Sequence, residues 1–380
     1  MECVKYQLGD ICKISSGQGA PQGEDKYTEN GTPFIKAGNL HDLVNGVDEY
    51  GIQQVSDNII SSHRLKLYPA GSVVFAKSGA SCLKGYVYVL HNNCCVVSHL
   101  AILTPKEEGV YNPQYLCYYL RYDKPNQLVS DLAYPAISLT ELSKFSIVLP
   151  SSSKQNAIVS ELDKIQAALD NKKEQLKKLD ELIQSKFYEM FGDLKGEPIE
   201  LNKVIDVVSG LVNPNVEPYC SQYHIGPGNI VSGTGEIIDC KLAKDEGLIS
   251  NKYAFKKGMV LYSKIRPNLN KVAIPKFDGI CSADMYPLIL KESVVDAFIW
   301  KLLSSQDFLV YAIKHSGRAR MPKLNRETLL AYKFILPPLP LQQAFAAYVE
   351  KVEQAKAIVN QEIAHLQELL NSRMDYYFRK

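Results

Sequence analysis

The sequence has no run of 18 apolar residues, and its first residues, MECVKYQLGD, lack the charged and apolar segments of a secretory signal. We therefore expect a protein that is not exported, has a cytoplasmic location and has no membrane partner. The nine cysteines form no CxxC pair and are odd in number. Reduced thiols are therefore expected rather than disulfides or a zinc site.

Common catalytic motifs are also missing. There is no GxxxxGK[ST] phosphate loop, no GxSxG elbow, no HExxH and no dinucleotide fingerprint. Asn213 and Pro214 continue as NPNV, without the second proline and aromatic residue of an amino-methyltransferase site. The histidines have no metal-ligand spacing, and Cys94 and Cys95 lie in an apolar segment typical of buried thiols. The sequence predicts a non-catalytic chain without metal or cofactor.

Charge gives only a weak signal. The formal net charge is +2, and it is distributed as −2 in residues 1–150, 0 in 151–192, +4 in 193–337 and 0 in 338–380. Only the third of these segments is basic. Any argument for nucleic-acid binding must therefore come from local clusters of side chains.

Two long amphipathic segments, residues 158–191 and 345–378, align at an offset of 187. In both, apolar residues recur at alternating spacings of four and three, the a/d pattern of a coiled coil. A helix of about 37 residues, ~55 Å long, must bury its seam, and its twin is the nearest partner. We expect the two helices to form an antiparallel coiled coil. Four cations interrupt the two seams, at Lys172, Lys186, Lys356 and Arg373.

Those cations are interpreted as points where the coil loosens, with a partner or phosphate site as the alternative. The helix ends are marked by residues typical of helix termini. Ser152 with Gln155 fits a capping box, Gly192 fits a stop, and Pro337, Pro338 and Pro340 prevent an earlier start of the second helix. The expected organisation is a domain at 1–151, a helix at 152–192, a second domain at 193–339 and a second helix at 340–380.

The two globular segments repeat as well. YQLGDICKISSG from Tyr6 matches IELNKVIDVVSG from Ile199, and YPAGSVVFAKSGA from Tyr68 matches FKKGMVLYSKIRP from Phe255. Short strands separated by Gly and Pro turns, with one helix late in each segment, favour an α+β fold with mostly antiparallel sheets. The chain is thus predicted to be an internal repeat with a pseudo-two-fold.

The second half carries the clearest polar clusters. Guanidinium and carboxamide groups pair with base edges, whereas Lys and Ser suit phosphates. Solvated surface loops are the alternative reading of both clusters, SKIRPNLNK and HSGRARMPKLNR. The candidate DNA-binding residues in this half are Asn229, Lys264, Arg266, Asn268, Asn270, Lys271, Arg318, Arg320 and Lys323.

The matching loops of the first half, IKAGNL and AKSGASCLKG, contain fewer charged residues. Ordinary turn chemistry explains much of their composition. Their candidate DNA-binding residues are Lys36, Asn39, Lys77, Ser78, Ser81 and Lys84. The two halves share a framework and differ in these loops. That difference is expected if each domain reads a different target.

With the repeat, the long helices and ILPPLPLQQ before the second helix, the whole chain resembles the DNA specificity subunit of type I restriction-modification systems. The first helix entry, LPSSSKQ, departs from the proline-rich pattern. The resemblance implies a non-enzymatic reader of double-stranded DNA, in which each target recognition domain binds one half of a split, asymmetric sequence. It further implies that the helices set the gap and dock two methyltransferase subunits, which motor-nuclease subunits join for restriction.

Two other functions remain open on the residues alone. A coiled-coil adaptor with protein-binding end domains would show little salt-dependent affinity for DNA. A self-contained nuclease or methyltransferase with a degenerate site would show turnover by the purified chain.

Overall fold

A computed structural model describes residues 4–317 and 321–379. The chain divides into two compact units. Unit 1 contains residues 1–174 and 361–380, and unit 2 contains residues 175–360. Each unit therefore combines one globular segment with parts of both long helices.

Unit 1 has ten short strands. They are β1 Val4–Gln7, β2 Cys12–Ser16, β3 Thr32–Ile35, β4 Gln54–Val55, β5 Leu67–Tyr68, β6 Val73–Ala76, β7 Val87–Val89, β8 Cys94–Val96, β9 Leu100–Pro105 and β10 Ser146–Leu149. Unit 2 has ten more. They are β11 Ile199–Glu200, β12 Ile205–Val207, β13 Tyr223–Ile225, β14 Lys241–Leu242, β15 Tyr253–Phe255, β16 Val260–Ser263, β17 Val272–Ala273, β18 Gly279–Cys281, β19 Met285–Leu290 and β20 Lys333–Phe334.

Eight of the ten α-helices in the described residues are short. The ten are α1 Leu8–Ile11, α2 Leu40–Val44, α3 Asp57–Ser62, α4 Pro113–Tyr122, α5 Leu139–Ser143, α6 Ser152–Phe191, α7 Asp296–Ser304, α8 Gln306–His315, α9 Arg326–Leu330 and α10 Leu339–Phe378. α6 and α10 are the two long helices, with 40 residues each. None of the described helices is both long and apolar enough to cross a membrane.

The sheet topology repeats strand for strand. Unit 1 has sheets ordered β2-β9-β6-β7 and β4-β3-β8-β5, and unit 2 has β12-β19-β16-β17 and β14-β13-β18-β15. A two-stranded ribbon, β1-β10 or β11-β20, completes each unit. Within these sheets only β3-β8 and β13-β18 are parallel. The predicted α+β class, the mostly antiparallel sheets and the internal repeat are confirmed.

In unit 1 the two long helices pack antiparallel. Glu161, near the start of α6, accepts hydrogen bonds from Arg373 and Tyr377 near the end of α10. Phe378 then packs on the predicted helix α4, with ring centroids 5.4 Å from Tyr115 and 5.5 Å from Tyr119. The end of α10 is thus part of the unit 1 core.

Unit 2 repeats this packing. Phe191, at the position equivalent to Phe378, packs on α7 with its ring 5.1 Å from Phe298 and 5.4 Å from Phe345 of α10. Lys356 of α10 lies 2.8 Å from Asp180 of α6. The antiparallel pairing of the helices is therefore observed within each unit.

The seam cations are paired with carboxylates. Lys172 lies 2.7 Å from Glu362 on the other helix, and Arg373 and Lys356 also bridge to the other helix. Lys186 instead pairs within its own helix, with Glu189 at 2.6 Å. Burial lowers the pKa of Lys356, but its two carboxylate partners outweigh that effect and hold the pKa above its usual value. These contacts give Lys172, Lys356 and Arg373 a role in joining the helices.

The capping box predicted at Ser152 and Gln155 is wrong. Ser152 is the first residue of α6, and the Gln155 side chain is buried. Its Oε1 accepts the Asn112 N–H at 2.8 Å and its Nε2 donates to the Pro150 carbonyl at 2.9 Å. Gln155 therefore ties the start of the long helix to the start of α4, which Asn112 caps.

Gln342 has the equivalent role in unit 2. Its side chain is fully buried; Nε2 donates to Pro337 O at 2.8 Å and to Ser293 O at 3.1 Å, and Oε1 accepts the Val295 N–H at 3.1 Å. α10 begins at Leu339, so Pro340 lies in its first turn, where a missing N–H costs nothing. The PPLPLQQ sequence thus supplies a helix start and a buried anchor.

The Gln342→Ala variant is expected to lower the free energy of unfolding of unit 2 by about 2–4 kcal/mol, because it leaves buried backbone groups without partners and creates a cavity. The single tryptophan, Trp300, is buried in α7, so its fluorescence during urea denaturation follows this unit. The matched control is Gln343→Ala, an exposed neighbour, for which a change below ~0.5 kcal/mol is expected. Equal effects of both variants would contradict the anchoring role.

Candidate nucleic-acid interface

The loop that follows β16 in unit 2 has an unusual backbone. Arg266 and Asn270 both have a φ of +47°, in the left-handed region, and they flank a 3₁₀ turn at Pro267–Leu269. Non-glycine residues rarely adopt this conformation, and such residues concentrate at functional sites. Arg266 and Asn268 are exposed at the surface of this loop.

The structure joins the two clusters that the sequence showed 50 residues apart. Ile265 forms an antiparallel bridge with Lys323, the Arg266 N–H donates to Pro322 O at 2.8 Å, and the Leu324 N–H donates to Lys264 O at 2.8 Å. Residues 264–271 and 321–324 therefore form one surface, which we call the unit 2 loop pair. The predicted site residues Arg318 and Arg320 lie outside the described residues.

Lys264 and Lys323 carry the positive charge at the centre of the unit 2 loop pair. The Lys264 ammonium lies 5.4 Å from the centroid of the Tyr286 ring, and Lys323 lies 3.8 Å from Asp284. The pair with Asp284 is solvent-exposed, so it contributes little energy and leaves Lys323 able to exchange partners. Burial raises the pKa of Tyr286, whose hydroxyl donates to Leu324 O at 3.4 Å.

Two other predicted residues, Lys271 and Asn270, use their side chains to hold the unit 2 loop pair in place, and a third, Asn229, holds the turn that Lys271 contacts. Lys271 Nζ donates to Pro227 O at 2.6 Å, and Asn270 Nδ2 donates to Ser304 O at 2.8 Å. Asn229 accepts the Gly226 N–H at 2.9 Å and donates to the carbonyls of Ile238 and Asp239. These contacts assign a positioning role to Lys271, Asn270 and Asn229.

Unit 1 has the same arrangement at the same place in the fold. Ser78 and Ala136 form an antiparallel bridge, and each lies 187 positions before its counterpart, Ile265 or Lys323. The Ile137 N–H donates to Lys77 O at 2.7 Å. Residues 77–84 and 131–137 therefore form the unit 1 loop pair. The Ser78 hydroxyl is 2.8 Å from His99 Nδ1, and Ser81 and Lys84 lie in the 3₁₀ turn Ala80–Lys84, where Lys84 is exposed.

The remaining unit 1 candidates, Lys36 and Asn39, lie in the turn after β3. Asn39 Oδ1 accepts the Lys36 N–H at 2.8 Å, as Asn229 does for Gly226. The Lys36 ammonium is 4.2 Å from the Tyr27 ring centroid and donates to Gln53. The shared Gly-Asn sequence is thus explained by a turn that both units need.

The sequence reading missed residues 131–137 as part of the unit 1 site. They contain no cation, and an isolated Leu and Tyr among small and apolar residues gave no pattern. The signal was available in the repeat, because Tyr134 aligns with Met321 of the basic cluster at the offset of 187. Among the described residues, no group of three His, Cys, Asp or Glu side chains could hold a metal ion.

Two α+β domains with repeated loop pairs, each packed against antiparallel long helices, define a protein with an internal structural repeat, and comparison with known proteins identifies its family. A model for the type I restriction modification DNA specificity domain matches residues 2–181 and 218–368. The chain therefore belongs to the type I restriction-modification DNA specificity family, as its sequence predicted.

Its relatives agree with this assignment. The chain is 29% identical over 289 residues to the type I restriction enzyme EcoDI specificity subunit of Escherichia coli, in a match that covers 64% of each chain. The match thus spans less than two-thirds of the length of that relative. A type I restriction-modification S subunit from M. genitalium has the same fold, with a TM-score of 0.52, 13% identity and coverage of 100% of this chain and 97% of the other. A structure from work on the assembly and conformational transition of the type I R-M system gives a TM-score of 0.55 at 16% identity, covering 99% and 97%.

Proposed function

We propose that this chain is the non-catalytic DNA reader of a type I restriction-modification complex in the cytoplasm. Each domain reads one half of a split, asymmetric DNA target through its loop pair. The two long helices set the number of unspecified base pairs between the halves. The chain needs no cofactor of its own for this role.

The observation that carries the proposal is the duplicated loop pair. In both units, the loop after β6 or β16 is joined to a second segment by an isolated β-bridge. That second segment lies just before a short helix, α5 in unit 1 and α9 in unit 2. The backbone hydrogen bonds that join the two segments are equivalent in both units, whereas the side chains differ. A common scaffold with different surface groups is what reading two different half-sites requires.

The unit 2 loop pair contains groups suited to both kinds of DNA contact. Arg266 and Asn268 are exposed and carry the bidentate groups that pair with guanine and adenine edges. Lys264 and Lys323 are suited to the phosphate backbone. In unit 1 the proposed contacts come from Lys77, Ser78, Ser81 and Lys84, and from Lys36 in the turn after β3.

The partners proposed are two methyltransferase subunits, with motor-nuclease subunits added for restriction. Leu182 of α6 and Leu369 of α10 are separated by the repeat offset of 187, and both leucines are exposed. Large apolar side chains kept exposed at matching places on two helices favour two equivalent docking positions. The net charge of +2 favours weak DNA binding by the chain alone, with phosphate contacts added by its partners.

The test is a map of methylated adenines in DNA from cells that express this chain with its methyltransferase, compared with cells that lack the chain. A split motif with one modified adenine on each strand is the expected result. An intact complex with the methyltransferase that adds no methylation would contradict the proposal and favour the adaptor function.

Arg266→Ala is expected to weaken binding of the complex to the mapped duplex by about 10- to 100-fold, because a bidentate base contact is worth ~1–3 kcal/mol. Discrimination should relax at one position of one half-site, which binding to duplexes with single base changes measures. The matched control is Lys276→Ala. Lys276 is exposed at the other end of the β16-β17 hairpin, where Gly258 N–H bonds Pro275 O at 3.1 Å. Equal losses for both variants would indicate general charge attraction instead.

A further inference from the structure

The unit 1 loop pair displays two apolar side chains that nothing described above uses. Leu132 is 75% exposed and Tyr134 is 82% exposed, the highest values for large apolar side chains among the described residues of unit 1. We call these two residues the apolar tip. Both lie in the segment that bridges the Lys77–Ser78 backbone.

The backbone of the apolar tip is fixed on both sides. Asp131 Oδ1 accepts the Ala133 N–H at 2.8 Å, which closes a tight turn around Leu132. After the tip, the Gly79 N–H donates to Pro135 O at 2.9 Å. The two side chains are therefore presented on an ordered backbone beside the proposed reading loop.

The composition of the tip segment favours a base contact over a phosphate contact. Residues 129–137, VSDLAYPAI, contain no Lys or Arg, and Asp131 adds a negative charge. Cations are the strongest phosphate ligands and are missing here, whereas the apolar surface of the tip is best matched in a DNA groove by an apolar group on the base. In the major groove the only such group is the 5-methyl of thymine.

The equivalent segment of unit 2 has a different character. The residue at the position of Tyr134 is Met321, and it is followed by Lys323, which bridges Ile265 next to Arg266. Unit 2 therefore combines one apolar residue with cations, whereas unit 1 has an aromatic and an aliphatic residue without cations. The two domains are expected to read chemically different half-sites.

We propose that Leu132 and Tyr134 are specificity-determining residues that contact the 5-methyl group of a thymine in the first half-site. This inference rests on the proposed function. DNA is favoured over a protein partner because the tip is bonded to the loop of Lys77 and Ser78, at the place where unit 2 has its basic cluster.

The test uses the complex of this chain with its methyltransferase subunits and a duplex carrying the mapped target. Each thymine of both halves is replaced in turn by deoxyuridine, which removes only the methyl group. One replacement in one half is expected to weaken binding about fourfold, the effect of burying one methyl at ~0.8 kcal/mol. With Tyr134→Ala or Leu132→Ala, that same replacement should lose most of its effect.

The matched control is Met321→Ala, at the equivalent position of unit 2, which should leave the response to this replacement unchanged. The proposal is overturned if no replacement in either half weakens binding, or if the tip variants retain the full response. It is also overturned if the tip variants release the methyltransferase without DNA, since the tip would then contact protein. Absence of any sequence-specific binding by the unaltered complex would reject the proposed function as well, so the two failures can be distinguished.

Discussion

Exchange of residues 1–151 for the corresponding domain of another family member is expected to change one half of the methylated motif completely and to leave the other half unaltered. The physical reason is that each unit has its own core, with separate sets of buried residues, and its own loop pair. Side chains in one core cannot easily alter the loops of the other. The readout is the map of methylated adenines.

The junction must respect the packing of unit 1. Phe378 of α10 packs on Tyr115 and Tyr119, so the incoming domain needs aromatic residues at these places. It also needs backbone groups equivalent to the Asn112 N–H and the Pro150 carbonyl, which the retained Gln155 binds. Two controls follow. Exchange of residues 193–339 should change only the other half, and placing the second domain in both positions should give a motif with the same half-sequence twice. A change of both halves after a single exchange would refute modular reading.

The repeat, the helices and the class of fold could be predicted because they depend on local periodicity. The a/d spacing over residues 158–191 and 345–378 predicted α6 and α10 closely, and Gly192 marked the end of α6. Apolar periods arise from burial on one face of a helix, and they persist whatever the helix packs against. Membership of the family followed from the same repeat.

The site was harder to predict because its contacts are long-range. Nothing in the sequence near Ile265 indicates that it bridges Lys323, and the Asn229 side chain also donates two hydrogen bonds to carbonyls nine and ten residues away. Gln155 was misread for a similar reason. Its spacing from Ser152 fits a local cap, but its actual partners include the N–H of Asn112, 43 residues earlier.

The apolar tip shows a different limit of sequence reading. A Leu and a Tyr in a turn-rich segment are usually buried or incidental, and only the fold shows that both are exposed. The comparison that could have revealed them is between the halves. Tyr134 and Met321 occupy equivalent positions in the repeat. The segment of Met321 contains cations, whereas the segment of Tyr134 contains none.

Deletion of seven residues from each long helix, at matched places, is expected to shorten the gap of the target by about three base pairs. Each helix loses ~10.5 Å at ~1.5 Å per residue, and B-DNA rises ~3.4 Å per base pair. Lys172 pairs with Glu362 in unit 1, so residues 168–174 lie opposite 361–367. Deleting both segments preserves the a/d spacing. In α6, Leu176 then follows Ile165 at a spacing of four, and in α10, Leu370 follows Val359 at the same spacing.

The expected change is a shift of preference at lower affinity. Three fewer base pairs also rotate one half-site about the duplex by roughly a third of a turn, since B-DNA has about 10.5 base pairs per turn. A series of duplexes with the same halves and gaps shortened stepwise measures this preference. Deleting only residues 168–174 leaves the opposite helix without its matching seam, so it should impair assembly and methylation at every gap. If the matched deletion assembles with the methyltransferase and still prefers the original gap, the half-site spacing must be set by the domains and their partners, because the helices would then have changed length without effect.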